Sequence, residues 1–204
     1  MNLNLQFFGS RGANSASAPD PLLGRQGKPK SADEALANVN KEHYDQETDR
    51  NGQYHVNCQR CIFAYEMQRR GYDVEALPAP NSRTDPMFTY SASWERGFIG
   101  QKWERNLGKR NPEVEQNIIS KMQDWGDGSR AIAYVAWKNG GAHVFNIENQ
   151  GGKVSIFDAQ DGKRYKLSDY LSRTKPSQTE LSRVDNLQPN TSVIKHAVKV
   201  KGKK

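Results

Sequence analysis

Residues 142–160, AHVFNIENQGGKVSIFDAQ, have the pattern of a β-hairpin. Two runs rich in β-branched and aromatic residues, 142–148 and 153–159, lie on either side of Gly151-Gly152. A Gly-Gly pair suits a two-residue turn, because both turn residues need positive φ. The pattern therefore predicts two antiparallel strands joined by a tight turn.

The predicted hairpin brings His143 and Asp158 to the same face. If the loop is 151–152, His143 faces Gln160 and Asp158 is its diagonal neighbour; if the loop is 150–151, His143 faces Asp158 directly. A three-residue loop would separate the two side chains. A carboxylate behind an imidazole fixes its tautomer and stabilises its charged form, so the pair has the composition of a catalytic base.

A candidate nucleophile lies far upstream, in NCQRCIFAYEM at residues 57–67. Helical spacing predicts a helix that begins near Cys58, places 58, 61, 62 and 65 on one inward stripe, and ends at Gly71. A thiol reacts as thiolate, and both a helix N-terminus and a nearby imidazole favour that form. Cys58, in the first turn, is therefore the predicted nucleophile, and Cys61 a small buried apolar residue.

Other interpretations of these residues remain open at this stage. Cys58 and Cys61 also fit a redox pair, although no apolar strand precedes them. His55 with the two cysteines would supply three zinc ligands, and His43 or His196 would have to be the fourth. His143 also fits a polar residue on a strand, Asp158 the end of a strand, and Gln160 a turn residue.

The rest of the chain predicts an α+β fold, because helices come first and strands later. We expect an irregular segment at 40–56 and a loop at 78–93. Predicted helices are at 32–39, 94–107 and from Asn111, with Pro112 in the first turn, to Gly126. Predicted strands are at 73–77, 131–137, 181–187 and 193–200.

Composition fits one small domain with polar ends. The chain has 204 residues and a net charge of +7, to which Lys199, Lys201, Lys203 and Lys204 contribute. We predict a disordered segment and linker at 1–30, rich in Gly, Ser, Pro and Lys, a catalytic domain at 31–197 and a basic tail at 198–204. No run approaches the length of a membrane span, and no zinc or nucleic-acid motif indicates specific nucleic-acid binding.

At four places the sequence resembles the papain-fold toxin, glutamine deamidase family (the Tox-PL domains of bacterial toxins and effectors). The matching stretches are Asn57-Cys58 with Cys61, RRGYDV and ALP at 69–78, the 142–160 hairpin, and RVDNL at 183–187. The resemblance implies a papain-like cysteine-hydrolase fold, with N-terminal helices packed on a C-terminal antiparallel sheet. It also implies Cys58, His143 and Asp158 as the catalytic triad.

The same resemblance implies hydrolysis of a glutamine side-chain amide on a host target protein, without a cofactor or metal. It makes Gln160 an accessory residue. Gln53 and Asn57, close to the nucleophile, are further candidates for the oxyanion site or its support, beside the backbone N–H of Cys58. A papain-like protease or a transglutaminase would use the same residues. An immunity protein is an expected partner of a toxin.

The first nine residues, MNLNLQFFG, resemble the N-terminal peptide of phage and prophage head-associated proteins. This likeness implies a phage or prophage gene, with the virion or the bacterial cytoplasm as location and capsid proteins as partners. It also supports an alternative function, a virion protein without catalysis. No signal peptide or transmembrane segment is predicted.

Overall fold

The computed structural model describes residues 20–80, 82–87 and 92–202. The strands are β1 Val74–Ala76, β2 Arg130–Trp137, β3 Ala142–Gln150, β4 Lys153–Asp158, β5 Lys163–Tyr165, β6 Thr174–Arg183 and β7 Val198–Val200. The helices are α1 Ala32–Val39, α2 Lys41–Gln46, α3 Cys58–Arg69, α4 Asn111–Asp124, α5 Leu167–Leu171 and α6 Thr191–Ile194, with a 3-10 turn at Ser93–Arg96. Together they form the α+β fold that the sequence predicts.

An antiparallel five-stranded sheet in the order β5-β4-β3-β2-β6 organises the domain. The β3–β4 turn is the predicted two-residue loop, with φ of +60° at Gly151 and +81° at Gly152. Pairing runs from Gln150 opposite Lys153 to Asn146 opposite Phe157. The register is therefore the one in which His143 and Asp158 are diagonal neighbours.

Helices cover both faces of this sheet. Alternate residues of the strands point to opposite faces. Ile132, Val144 and Phe157 share one apolar cluster with α3 and α1. Phe145 and Ile156 belong to a second cluster, with α4 and α5. This two-sided burial explains why the strands read as nearly continuous apolar runs.

Helix α3 lies inside the domain, which differs from the predicted single inward stripe. Its residues 59–68 are all buried. The buried carboxylate of Glu66 accepts hydrogen bonds from Arg70 and Arg130, and that of Glu148 on β3 accepts them from Arg69. Ion pairs thus replace water around the polar residues of the helix and fix it to the sheet. The helix ends as predicted, before Gly71, whose φ is +96°.

The predicted helix at 94–107 is wrong, since only the short 3-10 turn at Ser93–Arg96 forms. A Cβ atom at Gly97 would lie 1.9 Å from a ring carbon of Phe63. The glycine therefore lets the backbone pack closely against the Phe63 ring, and the segment does not continue as a helix. Gly100 and Asn106 have positive φ, which interrupts helical geometry.

Several other elements also differ from the predicted secondary structure. The strand predicted at 181–187 begins much earlier, at Thr174, and ends at Arg183. Of the strand predicted at 193–200, only Val198–Val200 forms, because its first residues belong to helix α6. This strand, β7, does not join the main sheet but pairs with β1 in a separate two-stranded sheet. Helix α2 forms within the segment 40–56 predicted as irregular, and β5 and α5 were not predicted.

The folded domain extends beyond the predicted boundaries 31 and 197. Leu23 is buried, and the Gly27 N–H donates to the Gly71 carbonyl at 2.8 Å, so residues 20–30 pack on the domain rather than form a linker. At the other end, β7 takes up the first residues of the predicted basic tail. The phage-like residues 1–9 lie outside the described residues. None of the described helices is long and apolar enough to cross a membrane.

Candidate active site

Cys58 is the first residue of α3, half-buried at the helix N-terminus. The preceding Asn57 is buried and donates to Asn40 Oδ1 at 2.8 Å and to the Leu77 carbonyl at 3.1 Å. Its own Oδ1 accepts from Cys61 Sγ at 3.2 Å. Asn57 thus anchors the turn that presents Cys58, and these contacts assign its side chain to support rather than to substrate.

His143 and Asp158 meet directly, with Nε2 and Oδ2 2.7 Å apart. The regular β3–β4 register stops at Asn146 and Phe157, just before this pair. The other carboxylate oxygen, Oδ1, accepts from the backbone N–H of Gln160 at 3.0 Å. Since Nε2 is engaged by Asp158, Nδ1 is the ring nitrogen that remains for the thiol of Cys58.

Two aromatic residues that the sequence did not single out hold this pair. The Tyr170 hydroxyl donates to Asp158 Oδ2 at 2.6 Å. The Trp137 ring stacks on the His143 imidazole, with centroids 5.9 Å apart and planes 22° apart. Tyr170 belongs to α5, an element too short to show helical periodicity, so no sequence signal linked it to Asp158.

The electrostatics of the pair favour its charged form. Burial by itself lowers the pKa of His143, but the charge of Asp158 and hydrogen bonds to Asp158 and Cys58 outweigh it and hold that pKa well above its usual value. Burial raises the pKa of Asp158, yet the charge and hydrogen bond of His143, aided by Tyr170, leave it lowered. An imidazolium beside a carboxylate is therefore the favoured state of the pair.

Cys61 has a different environment from Cys58. It is 1% exposed, and burial raises the pKa of its thiol well above the usual value. A buried thiol that stays protonated is a poor nucleophile. Cys61 therefore matches the predicted structural role.

Cys58 and His143 open into a cleft of about 720 Å³. Trp94 stacks on Tyr134 in its wall, with centroids 4.7 Å apart and planes 6° apart, and Trp103 packs edge-on against Trp94. Among the described residues, none that lines the cleft is Asp or Glu. The arrangement presents a thiol and an imidazole beside an apolar surface that can exclude water.

The predicted accessory glutamines differ in position. Gln160 lines the cleft, and its Nε2 donates to the His55 carbonyl, which ties the strand end to the segment before α3. Gln53 is exposed and lies outside the described lining of the cleft. Its backbone carbonyl accepts from Ala79 N at 2.9 Å. The structure thus brings Gln160 to the site and leaves the Gln53 side chain away from it.

The described residues contain no group of three His, Cys, Asp or Glu side chains that could hold a metal ion. The Nε2 atom of His55, one of the candidate zinc ligands, is hydrogen-bonded to the Tyr44 carbonyl oxygen at 2.9 Å. Both cysteines are free thiols. The chemistry that the site offers is that of a cysteine nucleophile with an adjacent acid–base pair.

Comparison with known protein families gives a match. The sequence model of a family described as papain fold toxin 1, glutamine deamidase, matches residues 56–163, just over half of the chain. The matched range includes Cys58, His143 and Asp158 and ends before Tyr170. Comparisons with curated proteins and with solved structures gave no match.

Proposed function

We propose that this chain, which belongs to the papain fold toxin 1, glutamine deamidase family, hydrolyses the side-chain amide of glutamine in a target protein. Cys58 is the nucleophile, His143 the acid–base catalyst and Asp158 its partner. The observation that carries the proposal is the 2.7 Å contact between His143 Nε2 and Asp158 Oδ2, with His143 and Cys58 lining the same cleft.

The first half of the reaction forms a thioester. The Cys58 proton resides on His143, and the thiolate attacks the carboxamide carbon of glutamine. The tetrahedral intermediate collapses as its C–N bond breaks, and His143 passes its proton to the departing nitrogen, so that ammonia leaves. Asp158 stays ionised throughout and stabilises the imidazolium.

The second half regenerates the enzyme. Water attacks the thioester carbon while His143 accepts a proton from it. The C–S bond then breaks, glutamate is released, and the Cys58 thiolate returns beside the imidazolium. No redox change occurs, and water is the only co-reactant.

The oxyanion of each tetrahedral intermediate needs hydrogen-bond donors. The first N–H groups of a helix have no acceptor within the helix, and that of Cys58 lies beside the attacking sulfur. Gln160 is the second candidate, because its side chain lines the cleft. Its amide also holds the His55 carbonyl, so one N–H at most is available for substrate.

The same three residues would serve a protease or a transglutaminase. A deamidase and a transglutaminase differ in what attacks the thioester: water gives glutamate, and an amine gives a cross-link. A protease differs in the bond attacked, because attack at a backbone amide cleaves the chain. Membership in a glutamine deamidase family favours the first. The phage-like residues 1–9 support a phage or prophage origin, in which case the enzyme would reach its bacterial host from a virion or a prophage.

The decisive experiment compares bacterial proteomes after expression of the wild-type chain and of Cys58→Ala, with Cys61→Ala as a matched control. We expect specific glutamines to be replaced by glutamate in the wild-type and Cys61→Ala samples only. New peptide termini would indicate a protease, and cross-linked or aminated glutamines a transglutaminase. Identical proteomes for wild type and Cys58→Ala would overturn the proposed chemistry and favour a virion protein without catalysis.

A further inference from the structure

Three basic side chains line two cavities that share Trp137. Lys138 and Arg173 line a pocket of about 500 Å³ together with Trp137. Lys175 lines the active-site cleft, as does Trp137. Because Trp137 also stacks on His143, this basic cluster of Lys138, Arg173 and Lys175 adjoins the catalytic residues.

Contacts with neighbouring residues restrain two members of the cluster, Arg173 and Lys138. Arg173 lies over the rings of Trp137 and Tyr170, 5.3 Å and 5.1 Å from their centroids. Lys138 Nζ donates to the Ser172 carbonyl at 2.8 Å. These contacts limit the freedom of both side chains, so less conformational entropy is lost when they bind a ligand.

A bulge in β6 places Lys175 at the cleft. Val135 pairs with Thr179, but Trp137 pairs with Thr174, so two steps along β2 match five along β6. The extra residues leave the regular ladder, and two of them, Lys175 and Gln178, line the cleft. Bulges next to active sites commonly re-aim side chains in this way.

The cluster adds positive charge to the cleft and to the adjoining pocket. Within the described ranges, none of the three side chains forms an ion pair with Asp or Glu, whereas Arg105 and Lys121 do. No acidic residue of the described ranges lines the cleft or the pocket beside Lys138. Arg173 also lines a smaller pocket of about 240 Å³, on the side of His143 where Asp158 and Asp161 lie. Backbone carbonyls at the end of α5 accept hydrogen bonds from Lys138 and Arg173 and so explain where these two side chains lie. Among the described residues, no such contact fixes the side chain of Lys175.

We propose that the basic cluster binds carboxylate side chains of the target protein, so that the modified glutamine lies in an acidic segment. This inference rests on the proposed function and names its substrate class. Acidic residues within a few positions of the glutamine would reach the cluster while the glutamine lies at Cys58. Opposite charges would fix which way the segment runs through the cleft and speed its association.

The test uses the inactive Cys58→Ala chain and two fluorescein-labelled peptides. One has a single glutamine flanked by glutamates, and in the other alanines replace the glutamates. We expect the acidic peptide to bind more tightly by anisotropy and to lose affinity as salt rises. Lys138→Glu with Lys175→Glu should weaken its binding by about tenfold, since two exposed ion pairs are reversed.

Lys153→Glu is the matched control, an exposed lysine beside the β3–β4 turn, and should bind the acidic peptide like the parent. Equal affinity for the two peptides, or no effect of the double reversal, would overturn the inference. Deamidation of both peptides by the active chain is measured separately. If the acidic peptide binds but neither peptide is deamidated, the proposed function fails, while the binding of acidic segments by the cluster stands.

Discussion

The Tyr170 hydroxyl and the Asp158 carboxylate lie 2.6 Å apart, and the hydroxyl shares oxygen Oδ2 with His143 Nε2. Asp158 also accepts a backbone hydrogen bond on Oδ1, so both of its oxygens are engaged. A carboxylate held by three donors cannot rotate away from the imidazole. Tyr170 is therefore a positioning residue for the catalytic pair.

Tyr170→Phe should lower the rate of deamidation several-fold and move the acid limb of its pH profile upward. Loss of a donor to the carboxylate favours the protonated form of Asp158, and the ring is otherwise retained. The measurement is the pH dependence of turnover. Tyr165→Phe is the control for loss of a neighbouring hydroxyl, because the Tyr165 ring packs on Tyr170 but its hydroxyl donates to Asp161 rather than to Asp158. A lower rate with an unmoved profile would mean that Tyr170 is merely structural.

Asp158→Asn should keep the fold and reduce turnover on the order of 10²-fold or more, since an amide favours the wrong tautomer and carries no charge. The loss should appear in kcat rather than KM, and alkylation of Cys58 by iodoacetamide at pH 6 should slow. Asp161→Asn should change little, because Asp161 accepts from Lys163 N in its own turn. Parental alkylation rates in both variants would refute the role of Asp158.

Cys58→Ala and His143→Ala should each abolish deamidation without unfolding the domain, because both residues lie at the cleft and supply the chemical step. Cys61→Ala should keep activity and lower the free energy of unfolding by about 1 kcal/mol, through the lost contact with Asn57. Turnover and urea unfolding measure the two effects. Activity lost with Cys61→Ala and kept with Cys58→Ala would reverse the assignment.

The His143–Asp158 pair should make stability depend on pH. The raised pKa of His143 means that its contribution is complete below the ordinary value of about 6.5 and disappears as pH rises through the folded-state pKa. The lowered pKa of Asp158 contributes above about 3.9 and is lost as pH falls through its folded-state value. His143→Gln should therefore destabilise the protein more at pH 5 than at pH 9, measured by urea unfolding. An equal loss at both pH values would contradict the pairing.

Glu66→Gln should destabilise the fold strongly, by about 3–5 kcal/mol, because Arg70 and Arg130 would keep their charges without the buried carboxylate that they share. Chemical denaturation measures the loss. Glu42→Gln, at an exposed position on α2, should alter stability by less than about 0.5 kcal/mol. A Glu66 variant as stable as the Glu42 variant would mean that packing alone fixes α3.

The local patterns of the chain were sufficient for the hairpin and for the nucleophile helix. Gly151-Gly152 specifies the turn because few other residues adopt positive φ at two successive positions, and this turn fixes the faces of His143 and Asp158. Gly71 likewise ends α3 through its own backbone geometry. Such features depend on steric limits within a few residues, so the sequence alone contains them.

Only the tertiary structure determined how segments distant in the sequence pack against one another. The helix predicted at 94–107 does not form, because Gly97 packs against Phe63, and β7 leaves the main sheet for β1. Tyr170 and the basic cluster join the site only through the packing of α5 and the bulge in β6, and Trp137 joins it through the pairing of β2 with β3. Contacts between distant segments override local propensity. They depend on which surfaces are buried against each other and which charged groups form pairs, and the spacing of residues within one segment does not specify either.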